Sequence, residues 1–198
     1  MRPVRAPGLI LLAAGGSTRM GRPKQLLPWG DRSLLRHACH TALATLCRPV
    51  IVVLGCEADA CRVECADLRV ITVVNENWAR GLGSSIAVGL AKLETESPEI
   101  SGVVLMLVDQ PSVTPEWLGQ FVERAPSSAL VATRYGESGG TPAYFAREFF
   151  PELQRLPPHE GARTLLAREH QNVQLMEGPH IFFDLDTPEA YREHAPTI

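Results

Sequence analysis

Residues 9–24 read LILLAAGGSTRMGRPK, an apolar run that changes abruptly into a glycine-rich loop with basic side chains. A short apolar run bounded by glycine is typical of a buried strand in a parallel sheet. The backbone N–H groups of a loop that contains Gly15 and Gly16 can approach an anion that a larger side chain would keep away. Arg19 and Lys24 add the full positive charges that suit a triphosphate. The stretch therefore predicts a strand that leads into a phosphate-binding loop.

The spacing of this loop excludes two better-known phosphate-binding loops. Gly16 and Gly21 have the separation of a P-loop, but the lysine that should follow directly is delayed to Lys24. A dinucleotide-binding loop needs glycines in the pattern GxGxxG that open directly into a helix, whereas Gly15 and Gly16 are adjacent and Pro23 delays the helix. The loop is therefore long and of a third kind.

Length, composition and charge bound the class of protein. The chain has 198 residues, 45% hydrophobic content and a formal net charge of −3, which favours one globular domain over residues 1–198. Its basic residues are dispersed except around Arg19, Arg22 and Lys24, so a nucleic-acid partner is not expected and the bound anion should be small. No apolar run approaches the roughly 20 residues that span a membrane, so we expect a soluble protein without a membrane partner.

The cysteines indicate the compartment. Their number is odd and no signal peptide precedes them, which favours a reducing cytosol and a cytoplasmic protein. Cys61 and Cys65 would share a helix face, but CxxC pairs of the kind found at structural zinc sites are missing, so ordinary thiols are favoured over a metal site. The five cysteines are Cys39, Cys47, Cys56, Cys61 and Cys65.

Strand-like and helix-like segments alternate in the first two thirds of the chain. This alternation predicts an α/β protein, a three-layer α/β/α sandwich in which a mostly parallel, Rossmann-like sheet lies between helices. The predicted strands are 9–13, 50–54, 70–74, 103–108 and 130–133. The predicted helices run from Asp31 or Ser33 to before Pro49, and over 57–65, 84–94 and 115–123.

The last third is less regular. Glycines at 136, 139 and 140, followed by Pro142, predict a loop, and Tyr144 and Phe145 suggest a short strand after it. Helices are expected over 147–153 and from 160 or 161 to 168. Short strands are expected over 173–176 and 181–184, on either side of a Gly178-Pro179 turn. No composition shift marks a domain boundary.

Asp109 follows the apolar run 103–108 as directly as the glycine loop follows the first run. The carboxyl ends of parallel strands meet at one edge of a sheet, where ligands bind. We therefore expect Asp109 and the loop 15–24 to converge there. The alternative is an aspartate that only caps or turns the chain.

These features resemble the MobA-like nucleotidyltransferase family, whose opening motif is LAAGxSxRMGxxKxLL. The family transfers a nucleoside monophosphate from a triphosphate to a phosphorylated acceptor, and its fold is of the nucleotide-diphospho-sugar transferase type. The Ala13-Ala14-Gly15 version resembles the molybdenum cofactor cytidylyltransferase (MocA-like) branch, which implies CTP. The chain matches the motif at Leu12, Ala13, Ala14, Gly15, Ser17, Arg19, Met20, Gly21, Lys24, Leu26 and Leu27.

The resemblance assigns catalytic roles to Arg19, Lys24 and Asp109. It places a metal-binding aspartate at Asp109, in an Asp-x-Pro motif, and Mg²⁺ prefers one or two carboxylates together with phosphate oxygens and water. The segment 184–189, DLDTPE, resembles a second acidic motif of the family. Asp184 is favoured over Asp186 as the second metal ligand, because Asp186 or Thr187 could instead cap a helix that begins at Pro188.

Residues 77–85, NWARGLGSS, resemble the family's turn against the base and ribose. The helix expected from Ser84 would offer unpaired N–H donors to a ligand, although Ser84 could also act only as the helix cap. The predicted nucleotide-binding residues are Leu12, Ala13, Ala14, Gly15, Gly16, Ser17, Lys24, Gly83, Ser84 and Ser85.

The predicted acceptor-binding residues are Thr141, His159 and Arg163. Here the sequence departs from the family, because Thr141 stands where relatives have His or Arg before proline, and Pro158-His159 precede Glu160 where relatives have Gly-Asp. His159 could be an ordinary surface histidine, and Arg163 could merely pair with Glu160.

The leading hypothesis from the sequence is a Mg²⁺-dependent enzyme that transfers CMP from CTP to a phosphorylated acceptor, the molybdenum cofactor, and releases pyrophosphate. The resemblance also implies a molybdoenzyme or its chaperone as a protein partner. The alternatives are a nucleotidyltransferase for sugar phosphates or other small phosphates, and a nucleotide- or cofactor-binding accessory protein without turnover.

Overall fold

A computed structural model describes residues 6–125, 127–178 and 183–196. Its elements are numbered here in chain order. The strands are β1 (Gly8–Ala13), β2 (Pro28–Trp29), β3 (Arg32–Ser33), β4 (Val50–Leu54), β5 (Ile71–Val74), β6 (Gly102–Leu107), β7 (Leu130–Tyr135), β8 (Ser138–Ala146) and β9 (Val173–Met176). The helices are α1 (Leu34–Leu43), α2 (Ala58–Cys65), α3 (Leu82–Glu96), α4 (Pro115–Arg124), α5 (Phe150–Gln154), α6 (Ala162–Arg168) and α7 (Pro188–His194).

Seven strands form one sheet in the order β5-β4-β1-β6-β8-β7-β9. The pairs β1–β4, β1–β6, β4–β5 and β7–β9 are parallel, and β8 is antiparallel to both of its neighbours. The predicted α/β fold with a mostly parallel sheet is therefore confirmed. The predicted bounds of 50–54 and 173–176 agree with β4 and β9 to the residue.

Both faces of the sheet are covered, which explains why β1 is apolar at every position. Successive side chains of a strand point to opposite faces. Leu9 and Leu11 pack with α1, α2 and α4, whereas Ile10 and Leu12 pack with α3, α5 and α6. A strand with two buried faces needs a continuous apolar run instead of an alternating one.

The loop predicted from Gly136 to Pro142 is wrong, because most of it belongs to the nine-residue strand β8. The glycines mark a close approach inside a hairpin and not a break in the sheet. A Cβ atom on Gly140 would lie 2.8 Å from the ring of Tyr135 on the paired strand β7. Of the strand predicted over 181–184, residues 181 and 182 lie outside the described part, and Phe183 and Asp184 belong to no strand.

The carboxyl ends of β1 and β6 lie side by side at one edge of the sheet. The N–H of Val108 donates to the carbonyl oxygen of Leu12, 3.2 Å away. The N–H of Leu185 donates to the carbonyl oxygen of Asp109 at 2.9 Å, which brings the C-terminal acidic segment to the same edge. None of the described helices is long and apolar enough to cross a membrane.

Candidate active site

The glycine loop after β1 is held in shape by a buried glutamine. Gln25 has no exposed surface, and its Nε2 donates to the carbonyl oxygens of Ala13 at 2.8 Å and Gly15 at 2.7 Å. The Oγ of Ser17 accepts from the N–H of Lys24 at 3.1 Å, which closes the loop on itself. These bonds turn the chain back so that Lys24 lies beside the end of β6.

Lys24 is the centre of an ion-pair network. Its Nζ lies 2.5 Å from Oδ2 of Asp109 and 3.0 Å from Oδ1 of Asp186, and Arg19 donates to the other oxygen of Asp186 at 2.8 Å. Burial opposes the charged lysine, but the two carboxylates outweigh it and raise the pKa of Lys24. The ammonium group is therefore charged at neutral pH. The predicted convergence of the loop with Asp109 is present in the structure.

Asp184 and Asp186, the two aspartates of the C-terminal acidic segment, have different partners, and neither caps the following helix. Thr187, and not Asp186, caps α7, because its hydroxyl accepts from the N–H of Ala190 at 3.2 Å. Asp186 is instead bound to Lys24 and Arg19. Asp184 accepts from Nε2 of Gln110 at 3.0 Å. Partial burial, and then the charge of Asp109, raise the pKa of Asp184.

Two carboxylates at this edge are suited to a divalent cation. Oδ1 of Asp109 is buried and has no hydrogen-bond partner among the described residues. Asp184 is close enough for its pKa to respond to the charge of Asp109. The described residues contain no group of three or more potential metal ligands among histidine, cysteine and acidic side chains. Any cation here must therefore complete its shell with ligand oxygens and water.

The first cavity, of about 300 Å³, opens beside the glycine loop. Trp78 forms one wall and packs so closely on the loop that a Cβ atom on Gly16 would lie 2.7 Å from its ring. Six of the predicted nucleotide-binding residues line this cavity, together with Asp109. They are Leu12, Ala14, Gly15, Gly16, Lys24 and Ser85.

The remaining predicted nucleotide-binding residues are not in the lining of the first cavity. Ala13 is buried in β1, and Ser17 lines a smaller third cavity of about 190 Å³ with Arg19, Lys24 and Asp186. The N–H of Gly83 donates to the carbonyl oxygen of Pro158 at 3.0 Å.

The start of α3 corrects the interpretation of Ser84 as a helix cap. Helix α3 begins at Leu82, two residues earlier than predicted, with Gly81 in the cap position. The hydroxyl of Ser84 donates to the carbonyl oxygen of Gly81 at 2.7 Å and accepts from Nδ2 of Asn75. Ser84 therefore braces the turn before the helix, and Ser85 is the serine that faces the cavity.

The second cavity, of about 270 Å³, adjoins the first, and Leu82 and Leu107 line both. Two of the predicted acceptor-binding residues, Thr141 and Arg163, belong to its wall. Arg163 donates to the hydroxyl of Ser138 at 3.1 Å and does not pair with Glu160. The wall consists of Leu82, Leu107, Gln110, Tyr135, Gly140, Thr141, Gly161, Ala162, Arg163 and Asp184.

His159 is the predicted site residue that the structure does not bring to the second cavity. Its side chain is 79% exposed and lies 4.0 Å from Glu160. The backbone around it packs against the first turn of α3, since the carbonyl of Pro158 accepts from the N–H of Gly83. The structure thus supports the surface interpretation of this histidine.

Four further residues of the site were not identified from the sequence. Gln25 and Gln110 directly follow Lys24 and Asp109, so proximity to the motif residues was an available signal. Trp78 lies inside the segment 77–85, in which only glycine and serine residues were predicted to bind the nucleotide. No sequence pattern pointed to Tyr135, because only the antiparallel pairing of β7 with β8 brings it to the second cavity.

A glycine loop whose lysine faces an aspartate at the carboxyl edge of a mostly parallel sheet places this protein among the α/β proteins with a ligand site at the ends of their strands. The comparison with protein families makes this class specific. The chain belongs to the family of the MobA-like NTP transferase domain, whose model matches residues 9–173. The resemblance inferred from the opening motif is thereby confirmed.

Curated relatives agree with this family over nearly the whole chain. The chain is 32% identical to the purine catabolism protein PucB of Bacillus subtilis (strain 168), over 95% of this chain and 96% of that protein. It is 26% identical to the molybdenum cofactor cytidylyltransferase of Escherichia coli (strain K12), over 92% of each. The protein is thus a MobA-like nucleotidyltransferase related to both.

The chain is also similar to part of another curated protein and to a solved structure. The nicotine blue oxidoreductase of Paenarthrobacter nicotinovorans is 38% identical over 116 residues, and this chain spans 54% of its length. The crystal structure of Rv0371c of Mycobacterium tuberculosis H37Rv in complex with manganese is 31% identical, with a TM-score of 0.80. That alignment covers 98% of this chain and all of the other.

Proposed function

We propose that this protein transfers CMP from CTP to a phosphorylated small-molecule acceptor, the molybdenum cofactor, with Mg²⁺ as its metal and pyrophosphate as the leaving group. One observation carries the proposal. Lys24 and Asp109 lie 2.5 Å apart on the wall of a cavity of about 300 Å³, next to a glycine loop and to a buried carboxylate oxygen without a partner. That combination fits a metal-bound triphosphate better than it fits a structural ion pair.

The triphosphate would lie along the first and third cavities, which share Gly15 and Lys24. Asp186 forms ion pairs with both Lys24 and Arg19. Phosphate oxygens would take over these two cations, because a guanidinium group can bind two phosphate oxygens and an ammonium group acts as a mobile point charge. Arg19 is 71% exposed, so it can reach a ligand without unpacking the core.

Asp109 and Asp184 would hold the divalent ion. Their donor set fits Mg²⁺, which binds one or two carboxylates and takes its other ligands from phosphate oxygens and water. Oδ1 of Asp109 is the atom best suited to this role, because Lys24 already occupies Oδ2. When bound, the ion would neutralise negative charge on the phosphate oxygens of the donor.

The chemistry itself asks little covalent work of the protein. An acceptor phosphate oxygen would form a bond to the α-phosphorus of CTP as the bond from that phosphorus to the bridging oxygen breaks, and pyrophosphate would leave. The attacking oxygen is already ionised at neutral pH, so no strong general base is required. Positioning of the two substrates in adjoining cavities, and charge stabilisation by Lys24 and Arg19, are what the side chains contribute.

The preference for CTP and the identity of the acceptor rest on similarity. The chain is related to a molybdenum cofactor cytidylyltransferase over 92% of its length, and its loop carries the Ala13-Ala14-Gly15 form. The second cavity offers Arg163 and polar groups of Gln110, Tyr135 and Thr141 to a phosphorylated acceptor. A guanidinium group is the side chain best shaped to bind a phosphate through two oxygens.

A pyrophosphate-release assay tests this function. Purified protein and Mg²⁺ are incubated with CTP, GTP, ATP or UTP, each with the phosphorylated molybdenum cofactor or with a panel of sugar phosphates, and EDTA serves as the control. We expect rapid release with CTP and the molybdenum cofactor only. Release with a sugar phosphate alone would replace the proposed acceptor. Nucleotide binding without any release would indicate an accessory protein instead of an enzyme.

A further inference from the structure

Gln110 is a buried amide in the wall of the second cavity, and its neighbour in sequence, Asp109, lines the first cavity. The side chain of Gln110 is 4% exposed. Its Nε2 lies 3.0 Å from Oδ1 of Asp184, 3.1 Å from the hydroxyl oxygen of Tyr135 and 3.2 Å from the carbonyl oxygen of Thr141. A carboxylate and a carbonyl can only accept, so the nitrogen must face them and the orientation of the amide is determined by its neighbours.

The position of this amide is fixed from several directions. Its neighbour Asp109 accepts a backbone hydrogen bond from Leu185, which ties the turn after β6 to the acidic segment. The hydroxyl of Tyr135 donates to the carbonyl oxygen of Thr141 at 2.7 Å, so toward Gln110 it can only accept, and the two N–H bonds of Gln110 are shared among three acceptors. Gln110 therefore cannot rotate without breaking contacts to both Asp184 and the wall of the second cavity.

A role in packing alone does not explain a glutamine at this position. Oδ1 of Asp109 and Oε1 of Gln110 are both buried without a hydrogen-bond partner among the described residues. Burial of an unpaired amide oxygen costs free energy that an apolar side chain of similar length would avoid. The donor end of Gln110 therefore has a use that offsets this cost, and Asp184 is the charged group it meets.

We infer that Gln110 is a positioning residue that holds the carboxylate of Asp184 toward the metal beside Asp109. This inference rests on the proposed function. Two carboxylates near each other repel and tend to turn apart, and a neutral donor holds one of them in place without cancelling the charge that attracts the cation. Because the same amide contacts Tyr135 and Thr141, it also links the metal end of the site to the second cavity.

The test compares wild type with Gln110→Met, Asp184→Asn and the double variant. Methionine keeps the length of the side chain and removes its N–H donor, so a packing role would be preserved. Mn²⁺ alone is titrated into each protein, and the free-ion signal in electron paramagnetic resonance gives the affinity without any turnover. Partners that orient metal ligands typically contribute a factor of about 10 to 100 in affinity, and we expect a loss of that size in Gln110→Met. In the Asp184→Asn background the same change should add less than about 2-fold.

Steady-state kinetics supply a second readout. We expect kcat of Gln110→Met to fall by roughly 10- to 100-fold while KM for CTP changes little, since the phosphate-binding Lys24 is not touched. Wild-type Mn²⁺ affinity in Gln110→Met, or an equal further loss in the Asp184→Asn background, would overturn the inference and leave the proposed function intact. Wild type that binds no Mn²⁺ and releases no pyrophosphate would overturn both. Circular dichroism confirms that each variant is folded.

Discussion

The two cavities of this protein are built in different ways. The first cavity takes most of its wall from two short segments, the loop after β1 and the turn before α3, which are held by Gln25 and by the contact of Trp78 with Gly16. The part of the second cavity that is its own is assembled from four parts of the chain that are distant in sequence. Beyond Leu82 and Leu107, which it shares with the first cavity, these four parts are Gln110, the β7–β8 hairpin, the start of α6 and the segment at Asp184.

This difference determines how sensitive the shape of each cavity is to changes in the sequence. A wall made mostly of two short segments keeps its shape through local contacts such as those of Gln25 and Trp78, so it is less sensitive to changes elsewhere in the fold. A wall made of four segments depends on how each one packs, and a change in any of them alters the cavity. We therefore expect the triphosphate side to be the constant part of this fold and the second cavity to determine which acceptor is used.

The largest effect should come from Asp109, which lines the first cavity and contacts Lys24. Asp109→Asn removes the charge that faces Lys24 and the oxygen best suited to the metal. We expect kcat/KM for Mg²⁺-supported pyrophosphate release to fall by roughly 10²-fold or more. Asp59→Asn is the matched control, because that carboxylate is 97% exposed on α2 and pairs only with Arg62 in the described structure. Full activity in Asp109→Asn would show that the metal is bound by other residues.

Lys24→Ala should affect the substrate in the first cavity and not the substrate in the second. The charged Nζ faces the first and third cavities, so its loss should raise KM for CTP by roughly 10- to 100-fold, as expected for a hydrogen bond to a charged group. KM for the acceptor should stay within about 2-fold, since Lys24 does not line the second cavity. Lys92, the chain's other lysine, lies on α3 in an ion pair with Glu96 and provides the control Lys92→Ala. Equal losses in both variants would contradict a phosphate-binding role.

The fold could be predicted from sequence wherever the pattern is local. Strand β4 is apolar throughout and bounded by turns, so its limits were predicted to the residue. The hairpin that contains β8 was mistaken for a loop, because Gly139 and Gly140 favour loops by composition. What keeps them in a strand is the pairing of β8 with β7, and no local pattern contains those contacts.

The site residues likewise differ in how far local sequence predicts them. The motifs of Lys24 and Asp109 each follow a clearly apolar strand, and the topology of a parallel sheet predicted that the two residues meet. The partner of Asp186 could not be predicted, because Lys24 is 162 residues away and the competing role as a helix cap was chemically reasonable. The position of His159 depends on how the chain packs against the first turn of α3. A short motif match carries no information on that packing.

Arg163 and His159 form a paired test of the second cavity. Arg163 belongs to its wall, whereas the side chain of His159 is 79% exposed and points to Glu160. With CTP in excess, Arg163→Ala should raise KM for the phosphorylated acceptor by roughly 10-fold, the value of one charge-assisted hydrogen bond. His159→Ala should remain within about 2-fold of wild type. A larger effect of His159→Ala than of Arg163→Ala would mean that the acceptor approaches from the other side of the turn.

The smallest effect should come from Trp78, yet it reports on the first cavity alone. The chain has three tryptophans; Trp29 and Trp117 are buried in the core, and Trp78 is half-buried in the cavity wall. CTP should therefore change the intrinsic fluorescence of wild type and of Trp117→Phe but not that of Trp78→Phe. An aromatic contact contributes about 0.5–1.5 kcal/mol and phenylalanine keeps part of it, so the affinity for CTP should fall by no more than about 2- to 10-fold in Trp78→Phe. If the fluorescence change persists in Trp78→Phe, the nucleotide does not occupy the first cavity, and the division of the two substrates between the two cavities is wrong.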